Sequence, residues 1–282
     1  MRLFVFGLGY SAGVLAQRLV ASGWHVEGTG RNGTLAFDDH AAVGAALGAA
    51  THVLSSVPPG RDGRDPVLDR YGAALRAAPA GWIGYLSSTG VYGDCGGAWV
   101  DETAAIGSGR RTARSDADRD WQALDALRAR VFRLPGIYGP GRSAFDRLRD
   151  GTARRVIAPG QVFSRVHVED IAGGVIAGMA GPPGVYNLAD DEPSDPNAVI
   201  EFAAQLIGMT PPPLMTIEQA TMSPMARAFY AENRRIANGK ALRMLGWRPR
   251  FASYREGLRD LNATTSPISA STAPATFSPV QR

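Results

Sequence analysis

Apolar and polar positions in the first half of the chain follow two alternating patterns. Short apolar runs bounded by Gly, Pro or Asp are typical of buried strands, and apolar residues three or four positions apart are typical of amphipathic helices. The apolar runs predict strands at 2–6, 24–29, 34–37, 51–57, 81–87 and 130–134. The helical spacing predicts helices at 11–22, 40–48, 66–78 and 115–128. This alternation indicates an α/β fold with a doubly wound parallel sheet, which binds ligands at the carboxyl ends of its strands.

The pattern is less regular after residue 135. Apolar pieces at 155–158 and 162–168 precede a predicted helix at 169–180, a strand at 185–189, a helix at 196–207 and helical stretches that end near 262. We expect one domain over 1–262, with a core at about 1–135 and 164–190 and a smaller C-terminal lobe at about 136–163 and 191–262. Residues 263–282 are mostly Ala, Ser, Thr and Pro, and predict a disordered tail.

The first strand runs directly into a glycine-rich turn. Residues 7–13 read Gly-x-Gly-x-x-Ala-Gly between the strand and the first helix. Gly7 allows a tight exit from the strand, and Gly9 lets a pyrophosphate approach the backbone. The first helical N–H groups, at Tyr10, Ser11 and Ala12, then face the phosphates. The turn predicts a dinucleotide-binding core; the alternative is a turn kept only for strand–helix packing.

The ends of the following strands bear on the choice of dinucleotide. Arg31 follows the second strand, where an NAD site usually has an acidic residue, and a guanidinium there can bind a 2′-phosphate. We therefore predict NADP as the preferred cofactor, with NAD as the alternative. Asp38 is a candidate acceptor for the adenine amino group or, equally, a helix N-cap. Ser56, Val57 and Pro58 end the strand expected to pass the cofactor ribose.

Composition narrows the class of protein. The net charge is +4, and the 30 Lys and Arg residues, of which Lys240 is the sole lysine, are scattered in runs of two at most, so we expect no nucleic-acid partner. The four His residues and the single cysteine, Cys95, show no metal-ligand spacing. One cysteine, no signal peptide and no membrane-length apolar stretch predict a cytoplasmic protein without a membrane partner.

Segments further along the chain resemble a known family. Residues 85–94 contain Ser-Ser-x-x-Val-Tyr-Gly, which is similar to the motif of the extended short-chain dehydrogenases/reductases, the nucleotide-sugar epimerase and dehydratase group. Similar motifs of that family follow in order at 133–142, 165–172, 186–189 and 245–258. The resemblance covers about residues 1–260. It implies a Rossmann-type fold with a C-terminal substrate lobe, and a small-molecule substrate such as a nucleotide sugar or another carbonyl compound, and it is compatible with a homodimer.

The resemblance also assigns site residues. Ser88 matches the catalytic Ser/Thr, which binds a substrate carbonyl or hydroxyl. Pro135, Gly136 and Ile137 match the segment that lines the nicotinamide. His167 and Asp170 match a motif for which we predict a structural role.

The chain departs from the family at its central catalytic device. The short-chain enzymes use Tyr-x-x-x-Lys on the helix after the serine segment, and residues 110–121 contain neither residue type. Since Lys240 is the sole lysine, no realignment restores the pair. Tyr92 and Tyr138 are the candidate replacement acids, with packing beside a glycine turn as the alternative for each. Arg111 or Arg114 is the candidate replacement for the lysine charge, although a guanidinium does not shuttle protons.

Two functions remain open from the sequence. The first is an NADP-dependent oxidoreductase or epimerase/dehydratase-like enzyme of atypical mechanism. The second is a non-catalytic dinucleotide-binding protein that senses redox state or acts as a scaffold. The missing pair favours the second. Ser88, Pro135-Gly136 and the substrate lobe favour the first, which we prefer.

Overall fold

The computed structural model describes residues 1–107, 112–125, 128–222 and 224–265. Along the chain the elements are β1 (Arg2–Phe6), α1 (Tyr10–Ala21), β2 (His25–Gly28), α2 (His40–Ala49), β3 (His52–Ser55), α3 (Pro66–Ala77), β4 (Trp82–Ser88), a 3₁₀ turn (Thr89–Tyr92), β5 (Trp99–Val100), α4 (Thr112–Leu124), β6 (Ala129–Leu134), β7 (Gly136–Tyr138), α5 (Ala144–Arg149), β8 (Arg155–Val156), β9 (Arg165–His167), α6 (Val168–Ala180), β10 (Gly184–Asn187), α7 (Pro196–Leu206), β11 (Leu214–Met215), α8 (Pro224–Phe229), β12 (Arg235–Ile236), α9 (Gly239–Leu245) and α10 (Tyr254–Thr265).

A six-stranded parallel sheet forms the centre of the molecule, in the order β10-β6-β4-β3-β1-β2. β1 pairs with both β2 and β3, so that Val5 lies opposite Gly28 on one side and Leu54 on the other. The chain therefore leaves β1 toward one edge of the sheet and returns at β3 to build toward the other edge. Such a change of direction opens a crevice at the carboxyl ends of the strands, where α/β sheets bind ligands. The predicted fold class is confirmed.

Helices cover both faces of this sheet because its strands are apolar on both sides. Phe4 and Phe6 face α2, α3 and α4, whereas Leu3 and Val5 face α1 and α6. The two sets alternate along β1, as side chains in a strand must. In the second half, a separate apolar cluster joins α5, α7 and α10 beside the sheet. These helices belong to the proposed substrate lobe.

The prediction of a strand at 34–37 is wrong. Leu35 forms only an isolated bridge with Thr29, and its N–H donates to the Gly28 carbonyl at 3.1 Å. The chain folds back through Gly33 so closely that a Cβ there would lie 2.3 Å from the Gly28 oxygen. The segment thus turns onto the end of β2 and cannot extend beside it.

Other differences concern element ends. The helix predicted at 115–128 is Thr112–Leu124, and the tail predicted from 263 begins no earlier than 266, since α10 extends to Thr265. The remainder of the predicted tail, 266–282, lies outside the described residues. Among the helices that the structure describes, none combines the length and apolar content that a membrane crossing requires.

Candidate functional site

The glycine turn at the end of β1 is held against the end of β3. Gly7 has a φ of +81°, and a Cβ there would lie 2.9 Å from Val57 Cγ2. The Ser56 hydroxyl donates to the Gly7 carbonyl, and the Ser56 N–H donates to the Phe6 carbonyl at 2.9 Å. The predicted turn residue Gly7 and the predicted ribose-side residues Ser56 and Val57 are therefore neighbours, fixed by packing and hydrogen bonds.

The first turn of α1 has no side-chain cap. Gly9 is its N-cap residue and has no side chain, whereas Asp39, Asp65, Ser143 and Asp195 cap α2, α3, α5 and α7. The N–H groups of the first helical turn have no acceptor within the helix itself. They therefore offer hydrogen bonds and the positive end of the helix dipole to an anion.

A cleft of about 1070 Å³ opens above the carboxyl ends of the strands. Its lining includes the predicted cofactor residues Gly9, Tyr10, Ser11, Ser56, Pro58, Pro135, Gly136 and Ile137. The predicted catalytic residues Ser88 and Tyr138 line it as well. Segments separated by more than a hundred residues thus meet in one cavity. Gly7, Ala12, Arg31, Asp38, Val57 and Tyr92 are not among the residues that line it.

The two charged residues predicted near the adenosine end are exposed. Arg31 forms no ion pair with a described carboxylate. Asp38 pairs with Arg70. The N-cap alternative for Asp38 is wrong, because Asp39 caps α2 by accepting from the Ala42 N–H at 3.0 Å.

Ser88 ends β4 at the wall of the cleft. Its Oγ accepts from the Gly90 N–H at 3.1 Å, which caps the 3₁₀ turn. That bond uses an oxygen lone pair and leaves the hydroxyl proton to be donated. Ser88 therefore has a structural role that does not prevent it from binding a substrate oxygen.

The structure does not bring Tyr92 to the cleft. Its side chain is 1% exposed, its hydroxyl donates to Asn187 Oδ1 at 2.8 Å, and Arg133 donates to that hydroxyl at 3.0 Å. Burial raises the pKa of Tyr92 to about 12 despite the nearby Arg133. Tyr92 is therefore a packing residue, the alternative given for it above, and is no longer a candidate acid.

Tyr138 reaches the cleft with its ring but not with a free hydroxyl. The hydroxyl group faces the start of α10. It donates to the carbonyl of Ser253, the residue before this helix, at 3.5 Å, and a Cβ built at Gly257 would lie only 2.2 Å from it. Burial raises the pKa of Tyr138 well above its usual value. This position does not suit an acid at the nicotinamide edge. Tyr138, like Tyr92, is therefore a packing residue and not a candidate acid.

Sequence reasoning missed a buried polar network under the cleft. Asp118 of α4 and Arg133 of β6 form an ion pair of 2.7 Å with side chains 0% and 3% exposed. Ser87 donates to Asp118, and Arg133 also donates to Tyr92. An arginine near the end of a strand that is apolar apart from Arg130 was the signal available in the sequence. The network ties α4 and β6 to the serine segment of β4.

Of the two candidate replacements for the lysine charge, Arg114 is the one that lies among the described residues. It lies on α4, lines the cleft and donates to the Tyr85 hydroxyl at 3.3 Å. The alternative, Arg111, lies outside the described residues.

His167 and Asp170 both accept hydrogen bonds from backbone N–H groups. His167 accepts from Glu169, and Asp170 accepts from Arg250 and Phe251. These contacts agree with the structural role predicted for the two residues. In the described parts of the chain, no group of three His, Cys, Asp or Glu residues is placed to hold a metal ion.

Asp190 is buried, and neither of its carboxylate oxygens has a hydrogen-bond partner among the described residues. Desolvation raises the pKa of Asp190 to about 8, although Arg165 partly opposes the rise. When the pKa of an acid is higher in the folded state than in the unfolded state, its contribution to stability is complete at pH values below the unfolded pKa. This contribution is lost as the pH rises through the folded pKa. The contribution of Asp190 to stability should therefore fall between about pH 4 and pH 8.

Asp190→Asn removes that ionisation. We expect the variant to be more stable than the parent protein at pH 9 by about 1 kcal/mol, a net value because the buried amide also lacks partners. Urea unfolding from pH 5 to pH 9 measures this, and the difference between the two proteins should widen with pH. A constant difference across the range would contradict the assignment.

Comparisons with known proteins place this site in a family context. No family model matches the chain. The curated protein 3-diazoavenalumate denitrifying reductase, from a Streptomyces species, is 31% identical over 151 residues, and the match covers 48% of this chain and 48% of that protein. The chain thus spans about half the length of this relative.

The solved structures that match over nearly the whole fold include two that differ in their similarity to this chain. A functionally unknown conserved protein from Silicibacter pomeroyi is 45% identical, with 93% of this chain and 98% of that chain covered and a TM-score of 0.83. The human epimerase family protein SDR39U1, solved with NADPH, is 19% identical, with 93% and 99% covered and a TM-score of 0.74. The latter likeness concerns the fold. The chain belongs to the family of the Silicibacter pomeroyi protein, and it shares the fold of the epimerase family protein, although its sequence contains no Tyr-x-x-x-Lys.

Proposed function

We propose that the protein binds NADP(H) and uses it to transfer a hydride to or from a carbonyl or carbinol carbon. The observation that supports this most directly is the uncapped start of α1, which opens onto the same cleft as Ser88 and Pro135–Ile137. The reductase name of the curated relative and the NADPH of the human structural neighbour agree with the proposal.

The residues of the cleft fit this cofactor. A Cβ built at Gly9 has no neighbour closer than the Gly7 oxygen at 3.8 Å, so the space in front of the turn is open to a pyrophosphate. Gly7, Gly9 and the N–H groups of Tyr10, Ser11 and Ala12 would hold that group. Arg31 would bind the 2′-phosphate and Asp38 the adenine, while Ser56–Pro58 and Pro135–Ile137 would line the ribose and the nicotinamide.

The protein's own residues would orient the substrate. The cofactor supplies or accepts the hydride at its nicotinamide ring. Ser88 donates a hydrogen bond to the substrate oxygen, and the Arg114 guanidinium favours negative charge on that oxygen during reduction. With Tyr92 and Tyr138 both engaged elsewhere, the oxygen exchanges its proton with solvent.

Half-buried Cys95 is the single cysteine of the sequence, which favours a reducing, cytoplasmic location.

Parallel titrations with NADPH and NADH, followed by the fluorescence of the reduced nicotinamide, test the cofactor part of the proposal. Selective binding of NADPH supports it, and failure to bind either overturns it. Turnover of a carbonyl panel by the parent protein and by Ser88→Ala tests the enzymatic part. Loss of turnover with unchanged NADPH affinity supports an enzyme, whereas binding without turnover of any compound favours the redox sensor or scaffold.

Gly9→Ala provides a further test of the turn. The backbone at Gly9 (φ −105°, ψ −153°) accepts alanine, but the added Cβ occupies the space in front of the turn. We expect the dissociation constant of NADPH to rise about tenfold, or about 1.4 kcal/mol, with little change in melting temperature. Gly13→Ala is the matched control in the same helix. Nothing lies within 4 Å of its added Cβ, so it should stabilise the helix by about 0.5–1 kcal/mol without changing affinity. Equal NADPH affinities for both variants would contradict a phosphate site here.

A further inference from the structure

The part of the cleft that is lined by residues of the C-terminal lobe is aromatic and apolar. The Phe163 ring lies 5.5 Å from that of Tyr230 and 6.5 Å from that of Phe229, in edge-on arrangements. Other apolar side chains lining the cleft from α7 and α10 are Val199, Ile200, Tyr254 and Leu258. Edge-to-face aromatic neighbours and aliphatic side chains form a surface suited to a planar apolar group.

Positive charge accompanies this surface. The ionisable side chains lining the cleft, apart from tyrosines, are Arg114, Arg142, Arg147, Arg154, Arg165 and Arg234 and the acids Asp146, Asp150 and Glu232. Two of the three acids are already used by the protein. Asp146 accepts from the Ser143 N–H at 2.6 Å in the capping box of α5, and Glu232 pairs with Arg234 at 2.9 Å. Cationic groups therefore exceed the acids available to them.

Most of these arginines are anchored to the protein. Arg154 donates to the Gly151 and Ala153 carbonyls, and Arg165 donates to Ser194 Oγ at 2.7 Å. Arg147 is an exposed residue at the wall of the cleft, and among the described residues its guanidinium has neither a hydrogen-bond acceptor nor an ion-pair partner. Arg142 also has neither, but its guanidinium stacks on the Tyr10 ring at 5.8 Å.

The surroundings of Arg147 favour an anion. Tyr230 and Asp146 lie near the Arg147 guanidinium, and both act to raise its pKa. Desolvation lowers the pKa of Arg165 to about 10; the Asp190 carboxylate opposes this lowering, and the positive charge of Arg147 adds to it. Both guanidinium groups line the same cleft, so a negative group bound there would favour the charged form of each.

We propose that this part of the cleft binds an acidic group of the substrate on Arg147, with Arg165 behind it, and packs an aromatic or planar apolar body against Phe163 and Tyr230. The substrate class is thus an aromatic acid that carries the reacting carbonyl. This assignment rests on the proposed function, since it places the acid in the lobe and the carbonyl at Ser88. The anion is a carboxylate or a phosphate, which share this chemistry.

Three benzaldehydes serve as probes: 4-formylbenzoate, its uncharged methyl ester, and 4-formylphenyl phosphate. Calorimetric titration into protein saturated with NADP⁺ measures binding without reduction, since the oxidised cofactor has no hydride to give. We expect one of the two anions to bind at least about tenfold more tightly than the ester, as a charge-assisted contact requires. The tighter anion identifies carboxylate or phosphate as the acidic group.

Arg147→Gln should abolish the preference for the anion and leave the affinity for the ester unchanged. The matched control is Arg149→Gln, two residues along the same helix, where the exposed guanidinium stacks on Phe145 at 5.8 Å and does not line the cleft. It should keep the full preference. Tyr230→Ala should weaken the ester and both anions alike, because it removes part of the aromatic wall.

NADPH affinity, measured on the same samples, separates this inference from the proposed function. If NADPH still binds, three results would overturn the aromatic-acid assignment alone. They are no preference for an anion, no binding of any probe, and an equal effect of Arg147→Gln and Arg149→Gln. Failure of the parent protein to bind NADPH overturns the proposed function and this inference with it.

Discussion

Replacing Asp118 by alanine is expected to lower the free energy of unfolding by about 3–5 kcal/mol, the largest effect that we predict for a single substitution. Asp118 is fully buried and binds Arg133 through two hydrogen bonds, of 2.7 and 3.1 Å. Its removal leaves a buried guanidinium without its counter-charge, and the hydroxyl of Ser87 without its acceptor. Urea or guanidinium unfolding measures the loss.

Asp116→Ala is the control for this substitution. It lies on the same helix and replaces the same residue type, so the change in helix propensity is equal. Asp116 is exposed, and within the described parts of the chain it pairs only with Arg119 at 3.0 Å, three residues along the helix, which is worth less than about 1 kcal/mol. If the two variants lose equal stability, the buried pair is not what holds α4 to the sheet.

A double variant separates the cost of the unpaired charge from the value of the pair. Asp118→Leu with Arg133→Met removes both charges and keeps apolar volume in the core. Because most of the single-variant loss comes from the stranded guanidinium, the double variant should be more stable than Asp118→Ala. A double variant that is less stable would show that the hydrogen bonds of the pair outweigh its desolvation cost.

The sheet and the glycine turn could be predicted because their determinants are local. An apolar run followed by Gly-x-Gly specifies a strand, a turn and a helix within about twenty residues, and strand–helix alternation specifies the parallel sheet. The segment 34–37 has an equally apolar pattern but forms no strand. What decides its conformation is the close approach of Gly33 to the end of β2, a tertiary contact that periodicity does not report.

The polar groups of the site were harder to predict for the same reason. Tyr92 lies in a segment that resembles a catalytic motif, and its burial depends on Arg133 and Asn187, which come from other strands. The lobe end of the cleft combines Arg147, Phe163 and Tyr230 from three distant segments. None of these side chains has a local pattern that indicates a common site, and only the fold brings them together.

Arg31→Ala tests which dinucleotide the site prefers, and we expect it to weaken NADPH binding by about 1.5–3 kcal/mol more than NADH binding. Arg31 is exposed just beyond β2 and forms no ion pair with a described carboxylate, so its guanidinium can meet a 2′-phosphate without first breaking a contact. NADH has no phosphate at that position, and its affinity should hardly change. Arg149→Ala, which removes the same charge outside the cleft, controls for a general electrostatic effect and should leave both affinities unaltered. An equal loss for NADPH and NADH would mean that Arg31 does not contact the 2′-phosphate, and the NADP preference would then need another residue.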